Sequence, residues 1–396
     1  MDGSVQSQTE SPGLFQASVF ASAGVAAVVG FGGTLALIIA AAQKLEATQT
    51  QTASWVTAVC IAIALSSTFL SLRFRMPLIT AWSTPGLAVI SASTGFGLNE
   101  AVGAFVITGA ALLLTGMVKP LSALVLKIPA PVASGMLAGV LLNFLVGAAK
   151  AAAIDPMLVL PLVAMFFIVR LFNAPLAIIA VLASGVVLAF ALGRVSALPM
   201  VEISTLELVS PVFDLRVAIG LALPLYLVTM ASQNLPGFAV LRAAGYQPPT
   251  SACLQVTGLV SLISAPFGAH TSNMAALSAA LCTGPDAHPN PKHRWLTGPV
   301  YGGMYLVFAL FGASLVALFA VLPPVFITVV AGLALMAPFI NAMALALSVE
   351  RERVAATVTF AVTASAISVG GIGSAFWALI AGLLVTAVNT SRKPSS

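Results

Sequence analysis

Two short polar stretches interrupt an otherwise apolar chain: Trp82-Ser83-Thr84-Pro85-Gly86 and Gly268-Ala269-His270-Thr271-Ser272-Asn273. Hydroxyls, an amide and the free N–H groups of a helix start are donors that hold an anion without a fixed cation. Ser83 or Thr84 suits an N-cap and Pro85 the first helical position, so a helix is predicted to begin there. Thr271, Ser272 or Asn273 is predicted to cap a second helix running to about Cys282, with Gly284-Pro285 as its stop. Each helix would have only about nine or ten residues, roughly 15 Å at 1.5 Å rise per residue, which is half a bilayer. Irregular backbone at that depth is tolerated only where protein buries it or water wets it, so paired half-helices point to a binding cavity.

A third polar cluster, Thr229, Ser232, Gln233 and Asn234, precedes Pro236-Gly237. Amides inside a membrane are costly unless partnered, and they serve equally as ligand donors or as glue between helices. Its counterpart in the first half is Phe31-Gly32-Gly33-Thr34, where glycine admits close approach of a ligand or of another helix. These stretches supply the candidate binding set: Gly32, Gly33, Thr34, Ser83, Thr84, Gly86, Ser232, Gln233, Asn234, His270, Thr271, Ser272 and Asn273. Phe31, Trp82 and Phe267 are the candidate wall for a flat ring, although aromatics also pack any helical bundle.

The charge census sharpens the chemistry. None of the eleven Asp and Glu residues falls inside an assigned span; Glu100 and Asp155 sit at segment edges. His288 and His293 share a loop with Asp286, Lys292 and Arg294, so His270 is the one ionisable side chain at predicted membrane depth. It can relay protons near neutral pH or, neutral, donate a hydrogen bond to a carboxylate, and it is the candidate for proton coupling. No metal site is expected, because Cys60, Cys253 and Cys282 are scattered without ligand spacing and read as small hydrophobes.

Of the 396 residues, 60% are hydrophobic and only 7% charged. The mean hydropathy is +1.08. Soluble domains carry roughly 25% charged residues, so this is a protein of the lipid bilayer. The runs have helical-span length, about 17 to 25 residues, without the alternation of a barrel, which predicts an all-α fold. The net charge of +5 comes from scattered Lys and Arg, with no patch for nucleic acid. The first thirteen residues contain Asp2 and Glu10 but no basic residue, unlike a signal peptide, so the first apolar run is expected to stay as a span.

Fourteen apolar segments are predicted. Seven run near Leu14 to Ala42, Ala53 to Leu72, Leu78 to Ser93, Ala101 to Val118, Ala130 to Ala148, Pro156 to Phe172 and Pro175 to Leu192. Seven more run near Leu215 to Ala231, Ser251 to Pro266, Thr271 to Cys282, Leu296 to Ala320, Pro324 to Leu347, Val354 to Val369 and Ile372 to Val388. The half-helices are the third and tenth. Cytoplasmic termini place twelve basic residues inside, Arg73, Arg75, Lys119, Lys127, Arg392 and Lys393 among them. Only Lys44, Lys150, Arg194 and Arg216 then fall outside, a strong positive-inside bias. Pro131-Val132 with Ala138-Gly139 echoes Pro324-Val325 with Ala331-Gly332, 193 positions apart. A repeat of seven spans, an odd number, enters the membrane upside down the second time, which predicts a 7+7 inverted repeat.

The stretches from Ala231-Ser232-Gln233-Asn234-Leu235-Pro236-Gly237 to Leu241 and from Ser264-Ala265-Pro266-Phe267 to Asn273 are fairly specific. Through them the chain resembles bacterial benzoate/proton symporters, from about Phe15 to Val388. The resemblance implies the fold of uracil and nucleobase carriers and of sulfate-type anion transporters, with a core domain moving against a gate domain. On that pattern 1–13 is a cytoplasmic tail, 14–118 and 215–320 the two core parts, and 119–194 and 321–390 the two gate parts. An extracytoplasmic connector spans 195–214, and 391–396 is a second cytoplasmic tail. Nucleobase carriers generally hold carboxylates on the eighth and tenth spans, where this chain has Ser232-Gln233 and His270, which favours an anionic substrate. The implied function is import of an aromatic carboxylate by proton symport across a bacterial inner membrane, with the proton as coupling ion and no cofactor. A nucleobase or inorganic-anion carrier and a passive anion channel are the alternatives. An enzyme is disfavoured by the lack of buried carboxylates or a nucleophile and base pair. Small-residue faces occur on many spans and leave a homodimer open without singling out a contact.

Overall fold

The computed structural model describes residues 16–118, 129–195, 197–370 and 372–391. The tail 1–13, Lys119, Lys127, Arg392 and Lys393 lie outside the described residues. Apolar runs in lipid must satisfy their own backbone groups, and they do so as helices. The first half gives α1 (Ala17–Lys44), α2 (Gln49–Phe74), α3 (Thr84–Ala92), α4 (Leu98–Met117), α5 (Ala130–Ile154), α6 (Pro156–Phe172) and α7 (Ala177–Ala191). The second half gives α8 (Leu215–Ala243), α9 (Thr250–Ser264), α10 (Leu277–Thr283), α11 (Thr297–Leu310) and α12 (Gly312–Val321). It ends with α13 (Pro324–Ala334), α14 (Met336–Ala346), α15 (Arg353–Ala364) and α16 (Ser374–Ser391).

Seven helices are long and apolar enough to cross a membrane among the described residues. They are α1, α2, α4, α5, α8, α9 with its extension to Phe267, and α13 continued by α14. A 57° bend between α11 and α12 makes an eighth if that pair counts as one span. The chain is a multi-pass helical membrane protein.

α4 lies along α9, and α2 lies along α11. Both contacts are made backbone to backbone at glycines. A Cβ placed on Gly109 would lie 2.8 Å from Leu262 N, and one on Gly258 would meet the backbone of Leu113. On the other pair, a Cβ at Gly302 would lie 2.8 Å from the Ala64 carbonyl oxygen. Lipid gives helices no hydrophobic reason to associate, so such close approach supplies the dispersion contact that holds them. A second group forms around α5, which packs on α13, α14 and α15, with α16 against α15 and α6 against α7. α1 joins the two groups through α13 and α7, and α3 does so through α5.

The two glycines of the sequence echo are both tight helix contacts, but with different partners. Gly139 faces Phe360 and Thr363 of α15, whereas Gly332 faces Phe144 and Ala148 of α5.

The helical expectation fails at two places. Thr80–Trp82 (β1) and Ser272–Met274 (β2) are extended and pair antiparallel, Thr80 opposite Met274, Ala81 opposite Asn273 and Trp82 opposite Ser272. The register is symmetric about the Ala81–Asn273 pair. α3 begins where the first polar stretch predicts it. The second helix is displaced: α10 starts only at Leu277, its cap position is Ala276 without a side-chain bond, and Thr271, Ser272 and Asn273 do not cap it. Their backbone is committed to the strand, which fixes it outside helical geometry. A second small pair, Ser368–Val369 with Ile372–Gly373, precedes α16.

Gly109→Val and Gly258→Val are each expected to destabilise the fold by about 1–3 kcal/mol, because the new side chain meets backbone that cannot rotate away. Thermal unfolding in detergent checks this; Gly24→Ala, with open space around its Cα, is the neutral control.

Candidate functional site

The strand pair lies where α2, α9, α8 and α11 surround it, and the neighbouring helices satisfy three of its outward donors. Ser67 Oγ accepts from Thr80 N (2.9 Å) and Ser261 Oγ from Ser272 N (2.8 Å). Asn234 Oδ1 accepts from Met274 N (3.0 Å). Thr80 Oγ1 lies 2.7 Å from both Ser66 Oγ and Ser67 Oγ. A backbone donor buried without a partner costs about 1–3 kcal/mol, so these hydroxyls and the amide are what permit extended chain at this depth.

Ser83 caps α3, its Oγ accepting from Gly86 N at 3.0 Å. Its own N–H donates to the Thr271 carbonyl. Pro85 has no N–H, and Leu87 N–H goes to the Ser83 carbonyl, which leaves Thr84 N–H as the first-turn donor outside these bonds. Thr229 Oγ1 donates to Ser83 Oγ at 3.1 Å and lies 3.3 Å from Thr271 Oγ1, while Asn273 Nδ2 donates to Thr271 at 3.2 Å. Residues from three distant stretches thus form one buried hydroxyl and amide network. Gly86 seats α3 on α8, since a Cβ there would lie 2.6 Å from Leu225 Cδ1.

Gly268 has φ of 86°, a conformation that turns the chain sharply after α9 and seats it against Trp55. His270 follows, fully buried, and its Nδ1 accepts a hydrogen bond from Trp55 Nε1–H at 3.0 Å. Its Nε2 has no hydrogen-bond partner, and the Ser83 backbone is the polar group that acts on the ring from the first break. Ser272 Oγ and Asn273 Oδ1 are likewise buried without a partner. Three open polar atoms within four consecutive residues are the site's main chemical feature.

Trp82 sits opposite Ser272, so their side chains share one face of the strand pair. On that face Phe31 packs on Trp82 (5.5 Å between ring centres) and Phe308 (4.4 Å), and Tyr305 meets Trp82 at 5.8 Å. Phe267 does not join this wall in the structure. It lines a separate apolar cavity of about 220 Å³ with Leu65, Leu206 and Ile263, and its carbonyl accepts from Ser54 Oγ.

The remaining predicted residues divide by role. Thr34 Oγ1 lies 3.4 Å from Thr84 Oγ1 and donates to the Gly30 carbonyl. Gly32 and Gly33 face Leu182 and Ile178 of α7, the contact of one helix with another. Ser232 and Gln233 are half-buried on a π-helical turn, Met230–Asn234, that comes just before Pro236. Widening the turn relieves the clash of the proline ring with the carbonyl four residues back, and Pro224 follows a second such turn for the same reason. Sequence reasoning missed Trp55, Tyr301, Tyr305, Ser66, Ser67 and Ser261. The run Ser66-Ser67-Thr68 inside an apolar span was the one available signal.

Helices broken at a shared buried polar crossing, inside a multi-pass apolar bundle, define the architecture of a membrane carrier. The chain matches the family described as "Benzoate membrane transport protein" over residues 14–388, and it belongs to that family. It is 40% identical over 362 residues to the inner membrane protein YdcO of Escherichia coli K12, covering 90% of this chain and 92% of the relative. It is 33% identical over 373 residues to the benzoate membrane transport protein of Acinetobacter baylyi, covering 94% and 95%. Its fold is that of the transmembrane domain of the cyanobacterial bicarbonate transporter BicA, with TM-score 0.64, 18% identity and coverage of 93% and 97%. SLC26A9 is also similar, with TM-score 0.66, 11% identity and coverage of 93% and 65%.

Asn234→Ala is expected to cost about 1–3 kcal/mol of stability by orphaning the Met274 N–H, whereas Gln233→Ala costs less than about 1 kcal/mol. Thermal unfolding of the two purified variants separates the structural amide from the one free to serve a ligand.

Proposed function

We propose that this protein imports an aromatic carboxylate, benzoate first among them, by proton symport across a bacterial inner membrane. The observation that carries the reading is the pair of open polar atoms His270 Nε2 and Ser272 Oγ, with Ser272 on the same face of the strand pair as Trp82 and its aromatic neighbours. A carboxylate needs donors at one end and a flat apolar surface for its ring. Ser272 Oγ–H, His270 Nε2–H, Thr84 N–H and the Gln233 amide would supply the donors; Phe31, Trp82, Tyr305 and Phe308 would supply the surface. Membership of the benzoate transport family points the same way. The anion cradle is therefore one helix start and one extended strand, in place of two facing helix ends.

A seven-plus-seven inverted repeat is supported by reciprocal packing. Exchanging the halves turns the contact of α4 with α9 into that of α11 with α2, and the strand register is symmetric about Ala81 and Asn273. Alternating access would follow from an elevator-like shift of the core group, α1 to α4 with α8 to α12, against the gate group around α5. Both termini would be cytoplasmic.

Uptake of radiolabelled benzoate into proteoliposomes is expected to rise with an inward proton gradient and to be competed by other aromatic carboxylates, with bicarbonate, sulfate and uracil weaker. Uptake indifferent to the gradient removes symport, and competition by uracil or sulfate alone removes the aromatic carboxylate. Ser272→Ala is expected to weaken uptake by several-fold to about tenfold, the loss of one hydrogen bond of about 1–1.5 kcal/mol.

A further inference from the structure

His270 is the only histidine in the crossing region, and the bond it accepts restricts what it can do. Indole Nε1–H is a donor and never an acceptor. The 3.0 Å contact from Trp55 Nε1 to His270 Nδ1 therefore requires a lone pair on Nδ1. A neutral imidazole with that lone pair carries its proton on Nε2, the nitrogen without a hydrogen-bond partner. Adding a second proton would set N–H against N–H. Both residues have zero exposure, so no water can take over the indole bond without a rearrangement. Trp55 is itself backed by Phe105 of α4 at 5.5 Å between ring centres, and Gly268 lies against its Cα and Cβ.

The surroundings supply no counter-charge. α2 presents Trp55, the first break presents the Ser83 backbone, and no charged side chain among the described residues acts on the imidazole. Thr229 and Thr271 contribute hydroxyls only.

We infer that Trp55 is a positioning residue that holds His270 as the neutral Nε2–H tautomer, so that His270 acts as a fixed hydrogen-bond donor and not as the proton carrier. Resting on the proposed carboxylate symport, this assigns the transported proton to the substrate. The carboxylate takes up one proton on the outer side to form the neutral acid, and the acid releases it inside.

The test uses full-length protein labelled with ¹⁵N-histidine in lipid nanodiscs, the His270 signals being those absent from His270→Gln. Between about pH 5 and 8, where histidines ordinarily titrate, His270 is expected to keep one protonated and one bare nitrogen throughout. An imidazolium signal appearing in that range would overturn the proposal, and this spectrum needs no variant of Trp55. Trp55→Phe is expected to replace the single tautomer by an exchanging mixture and to raise the KM for benzoate several-fold with less change in maximal rate. An unchanged tautomer in that variant removes Trp55 from the role. In proteoliposomes His270→Gln is expected to raise the KM for benzoate while leaving the gradient dependence and the pH profile of uptake unaltered. Loss of gradient dependence with benzoate exchange retained would instead return the proton to His270. If the protein carries no benzoate at all, the tautomer spectrum still decides the Trp55 assignment, so the two readings fail separately.

Discussion

The antiparallel crossing of Thr80–Trp82 with Ser272–Met274 is the constraint on which the centre of this protein depends. Extended chain at membrane depth exposes backbone donors that a helix would have satisfied internally, and each orphan costs several kcal/mol in hydrocarbon. Three residues from each half cannot meet that cost by pairing with each other alone. Ser67, Ser261 and Asn234 close three of the outward donors from neighbouring helices, which explains hydroxyls and an amide on otherwise apolar spans. The close packing of α2 on α11 and α4 on α9 then has a second purpose: it keeps those helices near enough for single hydroxyls to reach.

Because Ser67 serves Thr80 and Ser261 serves Ser272, the two halves satisfy the same need in the same manner. Asn234 has no matching partner described in the first half, and it sits on a helix widened ahead of Pro236. The asymmetry puts Ser232, Gln233, His270, Ser272 and Asn273 all in the second half, while the first contributes the cap, Trp55 and the rings of Phe31 and Trp82. In the proposed inverted repeat, the binding site would acquire its chemistry by such departures from symmetry.

Much of this was legible in the sequence, for identifiable reasons. Hydropathy locates the spans because lipid imposes it, and Ser83 with Pro85 announces a helix start through local backbone chemistry. The strands were not legible, since three residues carry no period and their pairing joins positions nearly two hundred residues apart. For the same reason Thr271 to Asn273 looked like caps; their polar groups signal a break in the helix but not its shape. Gly32 and Gly33 turned out to contact α7, a choice between ligand and helix that glycine alone does not reveal. Trp55 was hidden because an indole within an apolar span reads as packing until its N–H is followed to His270.

On the proposed reading, an anion site with no fixed cation has an electrostatic consequence. A carboxylate moved into a buried site loses hydration worth far more than a few hydrogen bonds return, unless a positive charge accompanies it. Among the described residues the crossing offers only neutral donors, and the one imidazole there is committed to an indole through its lone pair. A permanent Arg or Lys would resolve the cost but would also retain the anion on the inner side. In the proposed symport a proton resolves it and leaves with the substrate, so coupling and release would become the same event: neutral donors would hold the acid loosely enough to let it go, while the gradient sets the direction.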